Sequence, residues 1–320
     1  MSKLFQDLKS KIQGKGLKIV FPEGMDTRVV EAAIRLADED LLVPIIIGKP
    51  DELSKEIENH NIRVIDPSVY DEYNSMVEKF VQRRKGKATL EQAREMLLTP
   101  NYFGTMLVYL GEADGLVSGA THSTADTVRP ALQIIKTKPG LSRTFGYFVM
   151  IRENEKYIMG DCAINPNPSA SELAEFAVES AKIAKAYDID PKVAMLSFST
   201  NGSAETDETI KVREATALAK KMAPNVAIDG EMQLDAAFVE SVGRSKFPKS
   251  DVAGKANVFI FPDLNSGNIG YKIAQRLGGF EAVGPFLAAL NSPVNDLSRG
   301  CNAEDVYKTA IVTAVQSLTK

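Results

Sequence analysis

The feature that most constrains this chain is a regular alternation of short apolar runs with amphipathic stretches. The apolar runs are typical of buried strands, and the first four are Leu17–Phe21, Leu42–Ile47, Ile62–Ile65 and Gly115–Val117. Between them, Thr27–Asp38 and Thr89–Leu98 have helical periodicity, and the second opens with a capping-box sequence. This alternation favours an α/β fold with parallel sheets covered by helices.

The pattern changes after Pro139. Thr144–Ile151 and Tyr157–Asp161 are extended runs separated by a short polar turn, which predicts a β-hairpin. The elements predicted after it are helix Ser169–Tyr187, strand Val193–Ser197, helix Glu208–Ala223, strand Val226–Ile228, helix Gln233–Ser241, strand Ala256–Phe261, helix Asn268–Leu277 and helix Ala303–Leu318. We therefore predict two α/β domains, with the last helix returning to the first. The first comprises 1–142 and 288–320, and the second comprises 143–287.

Composition excludes several classes of function. With a net charge of -4 and basic residues spread along 320 positions, the chain is not expected to bind nucleic acid. The two cysteines, Cys162 and Cys301, make no disulfide framework and no metal-type spacing with histidine, so no metal site is expected. Neither a signal-peptide apolar run nor a membrane-length apolar stretch is present, which predicts a cytoplasmic protein without membrane contact.

Ligands of parallel α/β sheets bind where strands end and helices begin. The segment Gly119–Pro130 follows a predicted strand and is rich in small and hydroxyl residues, including Ser123 and Thr124. Such a segment can leave backbone N–H groups available to an anion, and Arg129 adds positive charge. The alternative is a capped helix start with a surface arginine. His122 is open to the same two interpretations, catalytic or structural.

A second candidate segment is Pro262–Gly270, which follows a very apolar strand. Its glycines permit close approach of a ligand or of neighbouring backbone, so Asn265 and Gly267 are candidate ligand-binding residues. The segment matches neither a Walker A sequence nor a dinucleotide fingerprint. A tight turn without a ligand explains it equally well.

A third candidate segment, Asn295–Cys301, is followed by Asp305 at a predicted helix start. Arg299 offers a fork that matches phosphate geometry, and Ser298 offers a hydroxyl. Asp305 can act as a general base if desolvation raises its pKa, or it can simply stabilise the helix dipole.

The fourth candidate segment is Gly160–Pro168, in which two X-Pro steps hold the backbone extended after a strand. Cys162 is a conceivable nucleophile there, but no histidine lies near it in sequence. We interpret it as a small buried residue.

Taken in order, these segments resemble the phosphate acetyltransferase (phosphotransacetylase) family in its short form, without an N-terminal regulatory extension. The matching blocks span nearly the whole chain and are Phe21–Glu23 with Arg28, Val117–Pro130, Asp161–Pro168, Phe261–Asn268 and Pro293–Cys301. The resemblance implies two α/β/α domains like those of isocitrate and isopropylmalate dehydrogenases, an active site in the cleft between them, and a homodimer. It also implies acetyl transfer between coenzyme A and inorganic phosphate, with coenzyme A as substrate and no permanently bound cofactor.

The resemblance further implies roles for individual residues. Asp305 resembles the base that takes the thiol proton of coenzyme A, Ser298 a hydroxyl that stabilises the transition state, and Arg299 the cation that holds the phosphoryl group. Arg129 and one of Arg83 and Arg84 resemble substrate-binding arginines of the family, and Arg28 resembles another arginine near the site. Cys162 resembles a cysteine at the site that is not the nucleophile.

Three other functions stay open on sequence grounds. Phosphate butyryltransferase shares the chemistry but has a roomier acyl pocket. A decarboxylating dehydrogenase that uses NAD(P) shares the fold, although the chain has no evident dinucleotide fingerprint. A non-catalytic regulatory domain is disfavoured because Ser298, Arg299 and Asp305 are all present.

Overall fold

The structure of the protein is a computed structural model, and it describes residues 3–53 and 55–318. The chain divides into two compact units, Met1–Lys138 with Leu290–Lys320 and Pro139–Ala289. Each unit contains one sheet and several helices, which confirms the α/β prediction. The predicted domain limits stay a prediction, because a compact unit need not fold alone. The limits at 1 and 320 lie outside the described residues.

The helices are α1 (Lys3–Ile12), α2 (Thr27–Asp38), α3 (Tyr73–Arg84), α4 (Leu90–Leu97), α5 (Pro100–Tyr109), α6 (Thr124–Pro130), α7 (Ala170–Ala186), α8 (Asp207–Met222), α9 (Leu234–Phe238), α10 (Glu240–Lys246), α11 (Leu264–Arg276) and α12 (Ala303–Ser317). The strands are β1 (Lys18–Phe21), β2 (Val43–Ile47), β3 (Arg63–Ile65), β4 (Gly115–Ser118), β5 (Phe145–Arg152), β6 (Glu155–Gly160), β7 (Lys192–Leu196), β8 (Ala227–Met232), β9 (Val258–Ile260), β10 (Glu281–Ala288) and β11 (Val294–Asp296). A π-helical turn, Ala131–Ile135, follows α6 directly.

The first unit is built on an all-parallel sheet with the strand order β11-β4-β1-β2-β3. All four residues of β4 are buried, as expected for a parallel strand covered on both faces. Helix α12 packs against α1, α2 and β4. Because β11, β4 and β1 are neighbours, the loops that follow them emerge together at one edge of the sheet.

The second unit is built on a mixed sheet with the strand order β10-β5-β6-β9-β7-β8. Strand β5 pairs antiparallel with both β6 and β10, which confirms the predicted hairpin. The other pairings are parallel, so the sheet is not wholly of the predicted parallel kind.

Some local predictions are confirmed and others are wrong. Thr89 accepts a hydrogen bond from the backbone N–H of Gln92 and closes the predicted capping box. The predicted helix Gln233–Ser241 is instead two short helices, because Val239 between them has an extended backbone. The segment Asn295–Cys301, predicted as a loop, begins within the short strand β11.

No helix within residues 3–53 and 55–318 is both long enough and apolar enough to cross a membrane.

Candidate active site

The loop between β4 and α6 wraps around the side chain of Glu23, which follows β1 and is 2% exposed. One carboxylate oxygen of Glu23 accepts hydrogen bonds from the backbone N–H groups of Gly119 and Ala120, each at 2.9 Å. The other oxygen accepts from the N–H groups of Thr121 and His122, each at 2.8 Å. The Thr121 hydroxyl also donates to it at 3.0 Å, and Nδ1 of His122 lies 2.8 Å away.

This arrangement decides between the two interpretations of the loop, N–H groups available to an anion or a capped helix start. The N–H groups of residues 119–122 are all occupied by Glu23, and Ser123 caps α6. Burial by itself raises the pKa of Glu23, but the hydrogen bonds from Thr121, His122 and Ala120 outweigh it and lower that pKa. Glu23 is therefore ionised at neutral pH. An ionised carboxylate only accepts hydrogen bonds, so His122 presents Nδ1–H to Glu23.

Helix α6 begins at a capping box formed by Ser123 and Asp126. The Ser123 hydroxyl donates to the Asp126 carboxylate at 2.7 Å. The Thr124 hydroxyl donates to Oδ2 of Asp296 at 2.6 Å, which joins the start of α6 to the end of β11. The hydroxyls of both predicted site residues, Ser123 and Thr124, are thus used in holding this helix in place.

Gly119 lies against the end of β11. A Cβ atom at this position would lie 2.5 Å from the carbonyl oxygen of Leu297 and 2.6 Å from Oδ1 of Asp296. Gly119 also has a φ of 116°, which side chains rarely adopt. Only glycine therefore permits the β4 and β11 loops to approach so closely.

Arg28, near the start of α2, connects both loops. Its guanidinium donates to the carbonyl oxygens of Ala120 at 2.8 Å, Arg299 at 2.9 Å and Cys301 at 2.8 Å. It also forms a bidentate pair with Asp26, at 3.0 and 2.7 Å. Arg28 therefore lies at the predicted site, but its donors are engaged by the protein itself.

The segment after β11 forms a tight turn that leads into α12. The Ser298 hydroxyl accepts a hydrogen bond from the N–H of Gly300 at 3.2 Å, and the Ser298 carbonyl accepts from the N–H of Cys301 at 2.9 Å. The side chains of Ser298, Arg299 and Asp305 belong to exposed residues. The three residues predicted to carry the chemistry are thus gathered around one turn and one helix start.

Asp305 is part of the N-terminal cap of α12. Its Oδ2 accepts from the N–H of Asn302 at 3.0 Å, and its own N–H donates to the Asn302 side chain at 2.9 Å. The helix-stabilising interpretation of Asp305 is therefore correct in this structure. It does not exclude the role of base, because a carboxylate has further lone pairs for a proton.

The tandem pair Arg83 and Arg84 separates into two different environments. Arg83 donates to the carbonyl oxygens of Ile134 at 2.6 Å and Ile135 at 2.9 Å, at the end of the π-helical turn. The Nε atom of Arg84 is buried and has no hydrogen-bond partner among the described residues. Burial raises the pKa of Tyr102, whereas the charges of Arg129 and Arg84 act in the opposite direction, so both arginines lie near this phenol.

In the second unit, Gly267 lies in the first turns of α11 rather than in a loop. A Cβ atom there would lie 2.2 Å from the carbonyl oxygen of Asp161. The sequence offered two reasons for a glycine here, close approach of a ligand or of neighbouring backbone. This contact supports the second. Asn265 lies in the same turns and is exposed.

Cys162 is fully buried, and its burial, with a smaller contribution from the charge of Asp161, raises the pKa of its thiol well above the ordinary value. A thiol in this state is a poor nucleophile because very little of it is thiolate at neutral pH. Within residues 3–53 and 55–318, no three His, Cys, Asp or Glu side chains are grouped to hold a metal ion.

Sequence reasoning gave Glu23, Asp296 and Tyr102 no individual role. Glu23 and Asp296 lie within the motif blocks Phe21–Glu23 and Pro293–Cys301, and that membership was their signal, although their contacts with the β4–α6 loop and with Thr124 are long-range. Tyr102 lies in none of these blocks and had no signal, because its importance depends on its proximity to the arginines.

The model of the family described as "Phosphate acetyl/butaryl transferase" matches residues 3–314 of this chain. The chain belongs to this family. A curated relative from Bacillus subtilis (strain 168), named phosphate acetyltransferase, is 59% identical over 99% of this chain and 100% of its own length. The predicted family resemblance is therefore confirmed.

Solved structures agree with this assignment. A phosphotransacetylase from Streptococcus pyogenes matches with a TM-score of 0.97 and 59% identity over 100% of both chains. A branched-chain phosphotransacylase from Enterococcus faecalis V583 matches with a TM-score of 0.70 at 18% identity, covering 94% of this chain and 99% of its own, which shows the shared fold alone. The butyryltransferase alternative is not favoured, since full-length relatives at 57–59% identity are named phosphate acetyltransferases.

Proposed function

We propose that this protein catalyses reversible transfer of an acetyl group between coenzyme A and inorganic phosphate. The observation that carries the proposal is full-length similarity, at 59% identity, to a protein named phosphate acetyltransferase. It is supported by the turn after β11, where a hydroxyl, a guanidinium and a carboxylate lie exposed beside the start of α12. These are the groups that acyl transfer to and from phosphate requires.

In this proposal, Asp305 accepts the proton of the coenzyme A thiol. A free thiol has a pKa of about 8.5, so little of it is thiolate at neutral pH. A positioned carboxylate increases the reactive fraction at the moment of attack. The sulfur forms a bond to the carbonyl carbon of acetyl phosphate, and the bond from that carbon to the phosphate oxygen breaks. Inorganic phosphate leaves, and acetyl-CoA is formed.

Negative charge builds up on the carbonyl oxygen and on the departing phosphate. The Ser298 hydroxyl and the Arg299 guanidinium are proposed to stabilise these charges, each contributing on the order of 3 kcal/mol, as a single oxyanion donor does. Arg129 is exposed on α6 and is proposed to bind the substrate's phosphate groups.

Of the tandem arginines, we propose Arg84 as the substrate-binding residue. Arg83 has two donors committed to the end of the π-helical turn. Arg84 keeps a buried, unsatisfied Nε within the described part of the chain and lies near Tyr102, as Arg129 does. A half-buried arginine with an unsatisfied buried Nε is the kind of group that a substrate phosphate satisfies.

The remaining predicted site residues have supporting roles in this proposal. Ser123 and Thr124 hold α6, and Arg28 holds both loops, through the hydrogen bonds described above. Asn265, Gly267 and Cys162 stay predicted site residues of the second unit. Coenzyme A is proposed as a substrate and not as a resident cofactor. The predicted homodimer and cytoplasmic location also stay predictions, and light scattering of the purified protein tests the first.

The experiment follows thiol release from acetyl-CoA with and without phosphate. Wild type is expected to release thiol only when phosphate is present. Arg299→Ala and Asp305→Asn are expected to be slower by about 100-fold, in line with the loss of one charge-stabilising or proton-accepting group. Phosphate-independent release by wild type, or variants as active as wild type, would contradict the proposal.

Two matched controls separate chemistry from stability. Arg63→Ala removes an exposed arginine on the edge strand β3 and is expected to keep wild-type activity. Glu172→Gln alters the capping box of α7 at the position that Asp305 occupies in α12. Its activity per folded molecule is expected to equal that of wild type.

A further inference from the structure

We propose that Glu23 is a positioning residue. Its carboxylate permanently occupies the anion-binding nest of the β4–α6 loop, which is the set of backbone N–H groups of residues 119–122. The loop therefore holds α6 in place for the reaction and does not itself bind the substrate's phosphate. The inference rests on the acetyl-transfer function proposed above. It adds a role for a residue that does not touch the reacting atoms.

The first support is the completeness of the contact. Successive backbone N–H groups that converge on one point form a concave site for an anion. Here four of them, from residues 119–122, converge on one carboxylate, together with the Thr121 hydroxyl and the His122 ring. Glu23 supplies both oxygens and is almost wholly buried. A substrate phosphate would have to displace a protein group that is held by six donors.

The second support is what the loop carries. The residue that follows the nest is Ser123, the N-cap of α6, and α6 presents Thr124 and Arg129. The direction in which α6 leaves the sheet therefore depends on the conformation of the nest. Without the carboxylate, four backbone N–H groups at the end of a buried strand would lose their acceptor.

The third support is the link to the other substrate loop. Ala120 donates its N–H to Glu23 and accepts a hydrogen bond from Arg28 on its carbonyl oxygen. Arg28 in turn holds the carbonyl oxygens of Arg299 and Cys301. The short segment from Glu23 to Arg28 thus fixes the β4–α6 loop and the β11–α12 loop relative to each other, all within the first unit.

The fourth support is a consequence for His122. Because Nδ1–H donates to Glu23, Nε2 is the ring nitrogen left for contacts outside the nest. His122 and Glu23 line a cavity of about 590 Å³ with Pro22, Met25 and Ser68. The carboxylate therefore determines which ring nitrogen of His122 is available there, in addition to holding the backbone.

The test compares Glu23→Gln with wild type in the thiol-release assay. The amide keeps the size of the side chain but presents an NH₂ group to the N–H donors of the loop. We expect kcat to fall by about 100-fold, as misplacement of about 1 Å can cause, while KM for acetyl-CoA changes little. Glu175→Gln is the matched control, because Glu175 is a buried carboxylate of the second unit that accepts from the N–H and hydroxyl of Ser142. It should keep wild-type kcat and KM.

Wild-type kcat and KM in Glu23→Gln, or an equal loss in Glu175→Gln, would overturn the inference. Hydrogen exchange of the wild-type amides 119–122 provides a second measurement that needs no variant. These amides should be protected without ligand and unchanged by saturating inorganic phosphate. Protection that arises only with phosphate would show that the nest binds substrate. This measurement shows whether Glu23 or phosphate occupies the nest even if Glu23→Gln does not fold. It does so also if wild type shows no phosphate-dependent thiol release and the proposed function fails.

Discussion

The hydroxyl of Thr124 donates a hydrogen bond of 2.6 Å to the carboxylate of Asp296, across 172 positions of sequence. It joins the first residue of α6 to the last residue of β11, and so connects two loops that the sequence presents as separate motifs. Burial raises the pKa of Asp296, and the hydroxyls of Thr124 and Thr127 act in the opposite direction. The Thr124 contact is therefore important for keeping this carboxylate in place.

Thr124→Val should destabilise the protein by about 1–3 kcal/mol, because it removes a donor from a largely buried carboxylate and keeps the side-chain volume. Urea unfolding at neutral pH measures this change. Thr124→Ser, which retains a hydroxyl, is the matched control and should stay close to wild type. Equal stabilities of the valine and serine variants would show that the hydrogen bond contributes nothing.

Arg28→Lys should lower both stability and turnover. A lysine ammonium cannot reach the carbonyl oxygens of Ala120, Arg299 and Cys301 in the fork geometry of a guanidinium. We expect a lower free energy of unfolding in urea, because charge-assisted hydrogen bonds are lost, and a fall in kcat. Arg63→Lys on the edge strand β3 is the control. A substitution at Arg28 that left kcat unchanged would argue against its holding the two loops.

Arg83→Ala and Arg84→Ala should have opposite effects on thermal stability and on KM. Arg83 holds the carbonyl oxygens of Ile134 and Ile135, so its loss should lower the melting temperature with a small effect on KM. Arg84 has an unsatisfied buried Nε within the described chain, so its loss should raise KM for acetyl-CoA about tenfold or more with little loss of stability. Thermal unfolding and steady-state kinetics on both variants distinguish these outcomes. The reverse pattern would assign the substrate contact to Arg83.

Cys162→Ala should retain most of the wild-type kcat. The thiol is buried and its pKa is raised, so it is not expected to form an acyl intermediate. The small cavity should cost about 1 kcal/mol in urea unfolding. Exchange of labelled phosphate into acetyl phosphate without coenzyme A provides the complementary measurement. Exchange in wild type that disappears in Cys162→Ala would establish a covalent route instead.

The contribution of Glu23 to the stability of the fold should decrease as the pH falls. Its pKa in the folded protein is below the ordinary value of 4.5, so the unfolded chain binds the proton more readily. The stabilisation is therefore fully present above pH 4.5 and is lost as the pH falls through the folded value. Urea unfolding from neutral pH to about pH 3 measures the free energy of unfolding of wild type and of Glu23→Gln. The difference between these two free energies should shrink as the pH falls. A constant difference over this range would contradict the assignment.

Most strands and helices could be predicted because their signals are local. The apolar runs and the capping box of α4 depend on neighbouring residues, so periodicity detects the runs and the capping-box sequence detects the cap. Strand β10 escaped detection because half its residues are exposed or partly exposed and it contains Gly284 and Pro285. Strand β11 is too short for a periodic signal, and it exists because β4 is available as a partner.

From the sequence alone, the order of the motif blocks identified the family, and the alternation of apolar runs with amphipathic stretches predicted the α/β class. It also identified Ser298, Arg299, Asp305 and Arg129 as candidates, since those residues lie within contiguous motifs. Tertiary structure alone decided that Glu23 fills the loop that the sequence offered as one of two alternatives for binding an anion. It also decided that Arg28 holds two loops and that Arg83 and Arg84 differ. Each of these outcomes depends on contacts between residues far apart in the chain. Only the packed structure shows whether a donor is bonded to another part of the protein or is left for a ligand.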